Sequence, residues 1–502
     1  MPEGCIRHTL ARAVPRPPAL AVALPLALVA LVVAWGFWGF TYDDGYITYR
    51  YADRLAAGRG LTWNDGAAVL GTSAPGYAVV LAAAAKLGAP AGLEVSDAGS
   101  LIFFGSLLTL AALAAAPGRG GVAIPLLFGA LALVSRFDLE LAGCETLPAL
   151  AALALAFRFA LLDERPLAAG LAGAVATAMR ADSALAVAVI GCALWHRRRA
   201  FPARFALAAG LPIAAGLAAL QVYYGTVVPS TLAGKRAELA LAALGYGRAQ
   251  WQWLERVYGL GGALALLGLA AAGLVLARQR LAPARPALAA AALWLLLHEA
   301  FYRLVGVPFS PWYHVHLFHA LLAAAALGAW QLADRLLARL AAAPGASVRA
   351  ALAGALLLPL LLPSLAFLVA SWGEPPDPRV RLYRDLARAA DACRGEGALV
   401  AVEIGALGYF SRRPVADLVG LVDPELRTAR AAGRQAEVAL ARRPDFVVDH
   451  PVFREPYLEP LLAAAAAEGF RPLGSFQRPE YPTAVRLWGR PGACAPGRRT
   501  GS

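Results

Sequence analysis

The chain has 502 residues, 59% of them hydrophobic, and a formal net charge of +13. Apolar runs approach or exceed the roughly 20 residues that an α-helix needs to cross a bilayer, which excludes a soluble globular protein and indicates a polytopic membrane protein. Arginines supply nearly all of the positive charge, since only Lys86 and Lys235 are lysine. They cluster between apolar runs, as in cytoplasmic loops, so the charge does not indicate nucleic-acid binding. The bias toward arginine is typical of GC-rich bacterial genomes and favours the bacterial inner membrane.

The first apolar segment, Pro18 to Phe40, contains no charged residue and is too long for the core of a signal peptide. Several arginines precede it, and the positive-inside rule keeps such an N-terminus in the cytoplasm. The segment therefore predicts a retained first helix that ends on the outer face of the membrane. Asp43 and Asp44 follow at that boundary.

Outer loop 1, residues 41–72, begins with this acidic pair and contains "YITYRYADRLAAGRGLTWND". Its apolar residues recur at helical spacing, which predicts a helix lying along the membrane surface with its apolar side down. Such a helix would place the two acids at the membrane edge beside Arg50 and Arg54. Taken alone, the acidic pair is also compatible with a solvated helix end.

Arginine-bearing loops predict the topology of the following segments, which come in pairs such as 166–179 with 183–195. This arrangement places four polar clusters on the same outer side as the acidic pair: Glu140–Thr146, Arg180–Asp182, Tyr223–Arg236 and Ser310–His319. Clusters that converge on one face are typical of an active site at the outer surface. We expect about 11 to 13 spans in a mainly α bundle. Residues 73–88 read either as a re-entrant half-helix or as a sign that one loop is misplaced.

From residue 373 the composition changes, which predicts a transmembrane domain over 1–372 and a small extracytoplasmic α/β domain over 373–502. "PPDPRVRLYRDLARAADAC" reads as a linker and an amphipathic helix, and "EPYLEPLLAAAAAEG" reads as another helix. "ALVAVEIGALGYFS" and "PDFVVDH" read as short strands. Cys393 and Cys494 can pair in an oxidising compartment or remain two unpaired thiols.

Several stretches together resemble one group of membrane enzymes. "DDGYITYRYADRLAAGRGLTWNDG" and the following "VLGTSAPGYAVVLA" look like the first outer loop of polytopic GT-C-fold bacterial glycosyltransferases that use polyprenyl-phosphate sugars, especially the mycobacterial terminal arabinofuranosyltransferase group. Shorter matches are "GCET" (143–146), "RADS" (180–183), "YYGTVVPSTLAGK" (223–235) and "EIGALGYFSRRPVADLVGLVDPE" (403–425). Ala181 in place of proline, Ser230 in place of asparagine and Gly76 in place of leucine depart from the family pattern, and they concern substrate contacts more than the fold.

The resemblance implies sugar transfer from a lipid phosphate, which needs a base for the acceptor hydroxyl and positive charge for the departing phosphate. It implies Asp43 as the base, with Asp44 positioning the acceptor or binding a divalent cation, Mg²⁺ or Mn²⁺. For the donor phosphate the sequence itself favours Lys235, one of only two lysines, and Arg180, which interrupts a long apolar stretch, with Arg50 as a further candidate. The candidates for binding the sugar, the acceptor or the lipid are Glu145, Asp182, Tyr224, Trp312, Tyr313 and His314.

Most of these side chains also have a structural interpretation. Lys235 can be an ordinary juxtamembrane cation, the Arg180–Asp182 pair can be a structural ion pair, and Glu145 can cap the helix that follows it. The aromatic residues of "SPWYHVHLFH" suit a belt at the membrane interface. The histidines of that stretch do not predict a zinc site, because residues two apart on a helix point in different directions.

The leading hypothesis is an inner-membrane glycosyltransferase that moves arabinofuranose, or another pentose or hexose, from a polyprenyl-phosphate donor to an envelope glycan or glycolipid. The alternative is a membrane transporter or a flippase of lipid-linked sugars whose Arg180 and Asp182 line a path. Against that alternative, no inverted repeat is visible in the sequence, and the polar motifs gather on one face instead of near the membrane midplane.

Overall fold

The computed structural model describes residues 19–66, 68–114, 122–232, 246–279, 281–306, 309–339, 345–479, 481 and 483–494. Up to residue 370, the described chain is a bundle of α-helices. Their bounds are α1 Ala19–Phe37, α2 Gly45–Ala56, α3 Pro75–Gly88, α4 Val95–Ala114, α5 Ala123–Val134, α6 Arg136–Glu140, α7 Thr146–Leu161, α8 Pro166–Met179, α9 Ala184–Arg198, α10 Ala203–Tyr224, α11 Tyr246–Leu276, α12 Arg285–Val305, α13 Val315–Arg339, α14 Ala346–Leu356 and α15 Leu358–Ala370.

Local sequence explains where many of these helices begin and end. Proline occupies the first turn of α3, α8, α12 and α15, where its missing N–H breaks no helical hydrogen bond. Helices α10 and α12 end at Gly225 and Gly306, both in the left-handed conformation that glycine adopts without strain. Helix α11 is broken at Gly259, whose φ is 70°.

Within the described residues, five helices are long and apolar enough to cross a membrane: α4, α10, α11, α12 and α13. Helices α14 and α15 meet at 69° and add a sixth if they form one span. Helices α1, α5, α7 and α8 are apolar but shorter. Several of the 11 to 13 spans expected from the sequence therefore correspond to helices that are shorter than a full membrane crossing. Helix α3, in the doubtful segment 73–88, has 14 residues and a length of about 21 Å, which is less than the roughly 30 Å of a hydrocarbon core.

The core of the bundle lies around α13, while α10 is at its periphery. In the most apolar 18-residue stretch of α13, 61% of the residues are buried, compared with 11% in that of α10. Helix α13 packs mainly on α11, and α10 packs on α8. The exposed side of α10 is apolar, as expected of a helix that faces lipid.

A small α/β unit follows the bundle. Its elements are α16 Pro378–Asp391, β1 Leu399–Ala401, α17 Gly405–Phe410, β2 Val415–Asp417, α18 Pro424–Ala431, α19 Gln435–Ala441, β3 Phe446–Asp449, α20 Glu459–Ala467, β4 Arg471–Phe476 and β5 Val485–Gly489. The strand order is β2-β1-β3-β5-β4, with the first three strands parallel and the last two pairings antiparallel. A disulfide joins Cys393 to Cys494, so the paired alternative for these cysteines is present. The α/β fold expected for this part of the chain is confirmed.

The C-terminal unit, residues 378–494, packs on outer loop 1. Helix α17 contacts α2, and the rings of Tyr409 and Phe410 lie 5.0 and 5.1 Å from that of Tyr46. The indole N–H of Trp63 donates to the carbonyl of Val415 at 3.0 Å. The first outer segment of the bundle and the C-terminal unit therefore form one packed surface.

Candidate active site

A cavity of about 460 Å³ lies where outer loop 1, the helix bundle and the C-terminal unit meet. All four polar clusters expected on the outer side contribute to its wall, as does outer loop 1. Their lining residues include Asp44, Glu145, Arg180, Asp182, Thr231, Trp312 and Tyr313. The expected convergence of these clusters is therefore present in the structure.

Arg180 is the central cation of the cavity wall. Helix α8 ends at Met179, and the extended backbone of Arg180 (φ −145°, ψ 120°) turns the chain toward the cavity. Its Nη1 donates to Glu145 Oε1 at 2.8 Å, and its Nη2 donates to Asp182 Oδ2 at 2.7 Å. The Tyr302 hydroxyl accepts from Arg180 Nη2 at 3.1 Å and donates to Asp182. Arg180 thus joins two carboxylates from separate segments, which agrees with its structural interpretation and also brings both acids into the cavity.

Among the described residues that line this cavity, carboxylates outnumber cations. The charged residues among its described lining are Asp44, Glu145 and Asp182 against Arg180 alone. Such a wall suits hydroxyl groups, which can donate to carboxylates. Lys235, the other predicted phosphate ligand in this region, lies outside the described residues.

The two adjacent acids of outer loop 1 have different surroundings. Asp44 directly precedes α2, is half-buried and lines the cavity. Asp43 is 2% exposed and turns toward the C-terminal unit, where its Oδ1 accepts the N–H of Ala406 at 2.8 Å. Burial raises the pKa of Asp43 to about 8. The structure therefore does not place Asp43, the predicted base, in the cavity.

Arg50 is not in the cavity either. It is 7% exposed, and its guanidinium is surrounded by acceptors from outer loop 1 and from the C-terminal unit. Its Nε donates to the carbonyl of Trp63 at 2.8 Å and its Nη2 to that of Arg413 at 3.1 Å, while Nη1 donates to that of Gly408. These bonds use donors that a phosphate would need, so Arg50 holds outer loop 1 on the C-terminal unit in this structure, and its role in phosphate binding stays a prediction.

Two of the predicted substrate ligands, Tyr224 and His314, are not among the residues that line the cavity. The Tyr224 hydroxyl donates to the carbonyl of Leu61 at 2.5 Å and fixes outer loop 1. His314 Nδ1 lies 2.7 Å from Glu299 Oε1, and its Nε2 lies 2.9 Å from the Tyr246 hydroxyl. Both side chains thus bind other parts of the protein in this structure, and their contact with substrate stays a prediction.

Aromatic side chains form one side of the cavity. Trp312 and Tyr313 line it, as the sequence analysis expected, and the Tyr313 ring stacks on Tyr302 at 4.2 Å. Tyr42 and Tyr302 also line it and were not predicted from the sequence. Tyr302 had a usable signal, because His298, Tyr302 and their polar neighbours interrupt the otherwise apolar segment of α12.

The turn that carries Glu145 is fixed by outer loop 1 and α3. The hydroxyls of Tyr49 and Tyr77 both donate to the carbonyl of Gly143, at 2.9 and 2.8 Å. Gly143 has a φ of +74°, and a Cβ there would lie 2.3 Å from the Tyr49 hydroxyl. Only glycine combines a positive φ with the absence of a Cβ at this close contact, which explains the glycine of the "GCET" motif.

Metal binding has little support among the described residues. In that part of the chain, no group of three or more histidine, cysteine, aspartate or glutamate side chains is placed to hold a metal ion. Asp44 and Glu145 offer oxygen atoms of the kind that Mg²⁺ prefers, but they do not make up such a group.

Comparison with known proteins supports the fold. A family model described as a domain of unknown function (DUF8728) matches residues 379–494, the C-terminal unit. No curated protein sequence matches the chain significantly. The crystal structure of ArnT from Cupriavidus metallidurans in the apo state is similar with a TM-score of 0.60 at 16% identity, covering 95% of this chain and 100% of ArnT. The structure of the same protein bound to undecaprenyl phosphate is similar with the same TM-score and coverage at 15% identity.

At this level of identity the similarity to ArnT establishes the fold alone. It extends through the helix bundle and the C-terminal unit, since nearly the whole of both chains is covered. The predicted GT-C type of polytopic bundle with a small C-terminal α/β unit is confirmed. Membership of the arabinofuranosyltransferase group stays a prediction.

Proposed function

We propose that the chain is a membrane glycosyltransferase that transfers a sugar from a polyprenyl-phosphate donor to a hydroxyl of an envelope glycan or glycolipid, at the outer face of the bacterial inner membrane. One observation carries the proposal: Asp44, Glu145, Arg180 and Asp182, from three separate segments, line a single cavity. That cavity lies in a fold shared with ArnT, one structure of which contains undecaprenyl phosphate. Arabinofuranose, or another pentose or hexose, is the proposed sugar.

The cavity wall has an apolar part that suits the lipid of such a donor. Leu185, Phe301 and Val305 line it, from helices α9 and α12. Phe301 is 45% exposed and the neighbouring Leu304 is 86% exposed, so this side of α12 is open to the membrane. A polyprenyl chain could therefore remain in the bilayer while its phosphate and sugar reach the polar part of the cavity.

In this proposal the base is Asp44 instead of Asp43, because Asp44 lines the cavity and Asp43 is enclosed by the C-terminal unit. The acceptor oxygen attacks the anomeric carbon of the sugar, the bond from that carbon to the phosphate oxygen breaks, and the acceptor proton passes to the Asp44 carboxylate. Glu145 and Asp182 accept hydrogen bonds from sugar hydroxyls. Lys235 remains the proposed cation for the leaving phosphate.

A divalent cation, Mg²⁺ or Mn²⁺, remains part of the proposal only at Asp44. When bound there it would add positive charge beside the phosphate. The steps above depend on the side chains of the chain itself and do not require that ion.

Replacing Asp44 with asparagine tests the function. With purified protein, labelled polyprenyl-phosphate sugar and an envelope acceptor, we expect transfer to fall by about 10²- to 10⁴-fold, the usual contribution of a general base. The matched control is Asp43→Asn, which changes the adjacent acid and should retain most activity. Full turnover by the Asp44 variant would exclude it as the base. Movement of intact labelled lipid between leaflets without acceptor would instead support a flippase.

A further inference from the structure

The C-terminal unit and outer loop 1 share a set of polar contacts centred on Asp43. Besides accepting the Ala406 N–H through Oδ1, Asp43 donates its own backbone N–H to Asp377 Oδ2 at 3.1 Å. Its Oδ2 lies 4.0 Å from Arg379 Nη1. The carboxylate thus contacts two parts of the C-terminal unit, the start of α16 and the start of α17.

Arg379 links these contacts into a network. Its Nη1 donates to Glu403 Oε1 at 3.0 Å, and its Nη2 donates to Asp377 Oδ2 at 2.7 Å. The Tyr383 hydroxyl also donates to Glu403, at 2.5 Å. One guanidinium therefore faces the carboxylates of Asp43, Asp377 and Glu403, and removing any of them changes the balance of a buried charge cluster.

The backbone of the two segments also fits closely at this point. A Cβ on Gly405 would lie 1.9 Å from the carbonyl oxygen of Asp43. The contact lies just beyond the carboxyl end of β1, whose neighbours in the sheet are β2 and β3. Open α/β sheets commonly bind ligands at such a position. Here the acid of outer loop 1 occupies it.

The same docking completes the cavity. Leu421, in the loop after β2, lines the cavity, and its carbonyl accepts the Ser230 hydroxyl. Arg427 Nη1 donates to the carbonyl of Ser230 at 3.0 Å. A C-terminal unit that moved away from outer loop 1 would therefore take one wall of the cavity with it.

We propose that Asp43 is an interdomain latch: its carboxylate binds α17 and Arg379, holds the C-terminal unit on outer loop 1, and thereby keeps Leu421 over the cavity. Asp43 is a positioning residue, whereas its neighbour Asp44 faces the cavity. The latch rests on the contacts alone, and only the use of the cavity for substrate rests on the proposed function.

Hydrogen exchange in the full-length protein tests the latch without any substrate. In Asp43→Ala the amides of residues 404–411 should exchange about ten- to a hundredfold faster, the change expected when a buried N–H loses its acceptor. Residues 459–467, on a helix of the same unit that makes no contact with Asp43, should keep their protection. Arg379→Gln should also accelerate exchange of the amides of residues 404–411. Asp43→Asn retains an acceptor for the Ala406 N–H and should have a smaller effect.

Asp44→Ala is the matched control and should leave exchange in 404–411 unchanged. The latch is contradicted if Asp43→Ala leaves this segment as protected as in the unmodified protein, or if Asp44→Ala exposes it equally. Equal acceleration of 404–411 and 459–467 in every variant also contradicts it, because that pattern reports loss of the unit's fold. The exchange measurement uses no substrate, so its result does not depend on whether the chain transfers a sugar. The latch and the proposed function can therefore be contradicted separately.

Discussion

Arg180 satisfies two carboxylates in a buried position. Glu145 and Asp182 both depend on it, and its own exposure is 6%. Removing one partner of a buried ion pair costs far more than removing an exposed one, because a charge is left in a poorly solvated place. The energetic importance of Arg180 can therefore be tested independently of any reaction.

We expect Arg180→Met to lower the free energy of unfolding by about 3–5 kcal/mol. Arg180→Lys should be intermediate, since an ammonium keeps the charge but lacks the planar fork that reaches both acids. The measurement is denaturant unfolding in detergent. The control is Arg197→Met, whose ion pair with Glu164 is largely exposed and should contribute less than about 1 kcal/mol. Similar losses at both positions would contradict the structural role of Arg180.

The acidic pair shows the limit of sequence reasoning at the scale of a residue. The motif predicts that acids gather at the start of α2, and the structure has them there. The sequence does not show which of the two faces a cavity, because both lie in the turn before α2, where no helical periodicity fixes the direction of a side chain. That choice depends on where the C-terminal unit packs, and Ala406, which binds Asp43, is more than 300 residues away in the chain.

At the scale of an element, the turn between α6 and α7 determines the position of Glu145. It depends on a left-handed glycine and on two tyrosines from other segments. The turn cannot be replaced by a generic loop, because the Gly143 carbonyl must reach both hydroxyls.

Replacing Gly143 with alanine should disturb this turn in two ways, by its positive φ and by collision with Tyr49. The control is Gly92→Ala, where φ is +76° and no atom lies within 4 Å of the added Cβ. We expect the control to lose about 1 kcal/mol from the conformation alone, and Gly143→Ala to lose about 1–3 kcal/mol more from overpacking. Denaturant unfolding measures both. Equal losses would show that the collision is relieved without cost.

Helix boundaries were predictable where residues with strong local effects mark them. The expected segment 166–179 coincides with α8, since Pro166 begins it and the charged Arg180 follows it. "ALVAVEIGALGYFS" was expected to be a strand, but only Leu399–Ala401 is one, and Gly405–Phe410 is helical. The second half packs on α2, so tertiary contacts override its β-propensity.

At the scale of the whole molecule, the cavity joins residues from Tyr42 to Leu421. The sequence predicted that separate polar clusters would meet, because topology places them on one face. It did not indicate that Leu421 lines the cavity, because the position of this apolar residue depends on how the C-terminal unit docks. Long-range docking is therefore the part of this site that local patterns do not reveal.

Protonation of His450 should destabilise the C-terminal unit in acid. Burial lowers the pKa of His450, which bonds the Tyr481 hydroxyl at 2.7 Å and faces Glu403, Asp449 and Arg379. In acid, the unfolded chain therefore binds a proton at His450 more readily than the folded unit does. The contribution of His450 to the free energy of unfolding is present above about pH 6.5 and falls as the pH is lowered through that value.

His450→Gln should flatten this dependence. The measurement is hydrogen-exchange protection of the β3 amides in the full-length protein, corrected for intrinsic exchange. It is made at about pH 7.5 and at about pH 5.5, one above and one below the ordinary histidine pKa. An unchanged slope in the variant would assign the acid sensitivity to other groups. Asp445→Asn, in the same unit but away from His450, serves as the comparison.

The contribution of Leu421 to the wall has a pharmacological consequence. A compound that fills the cavity would touch the helix bundle and the C-terminal unit at once, and would bind only molecules in which both are assembled. By mass action it would then raise the melting temperature of the two parts together. Compounds that bind this cavity would stabilise the contact between the helix bundle and the C-terminal unit, so a thermal-shift measurement can identify them before any substrate is available.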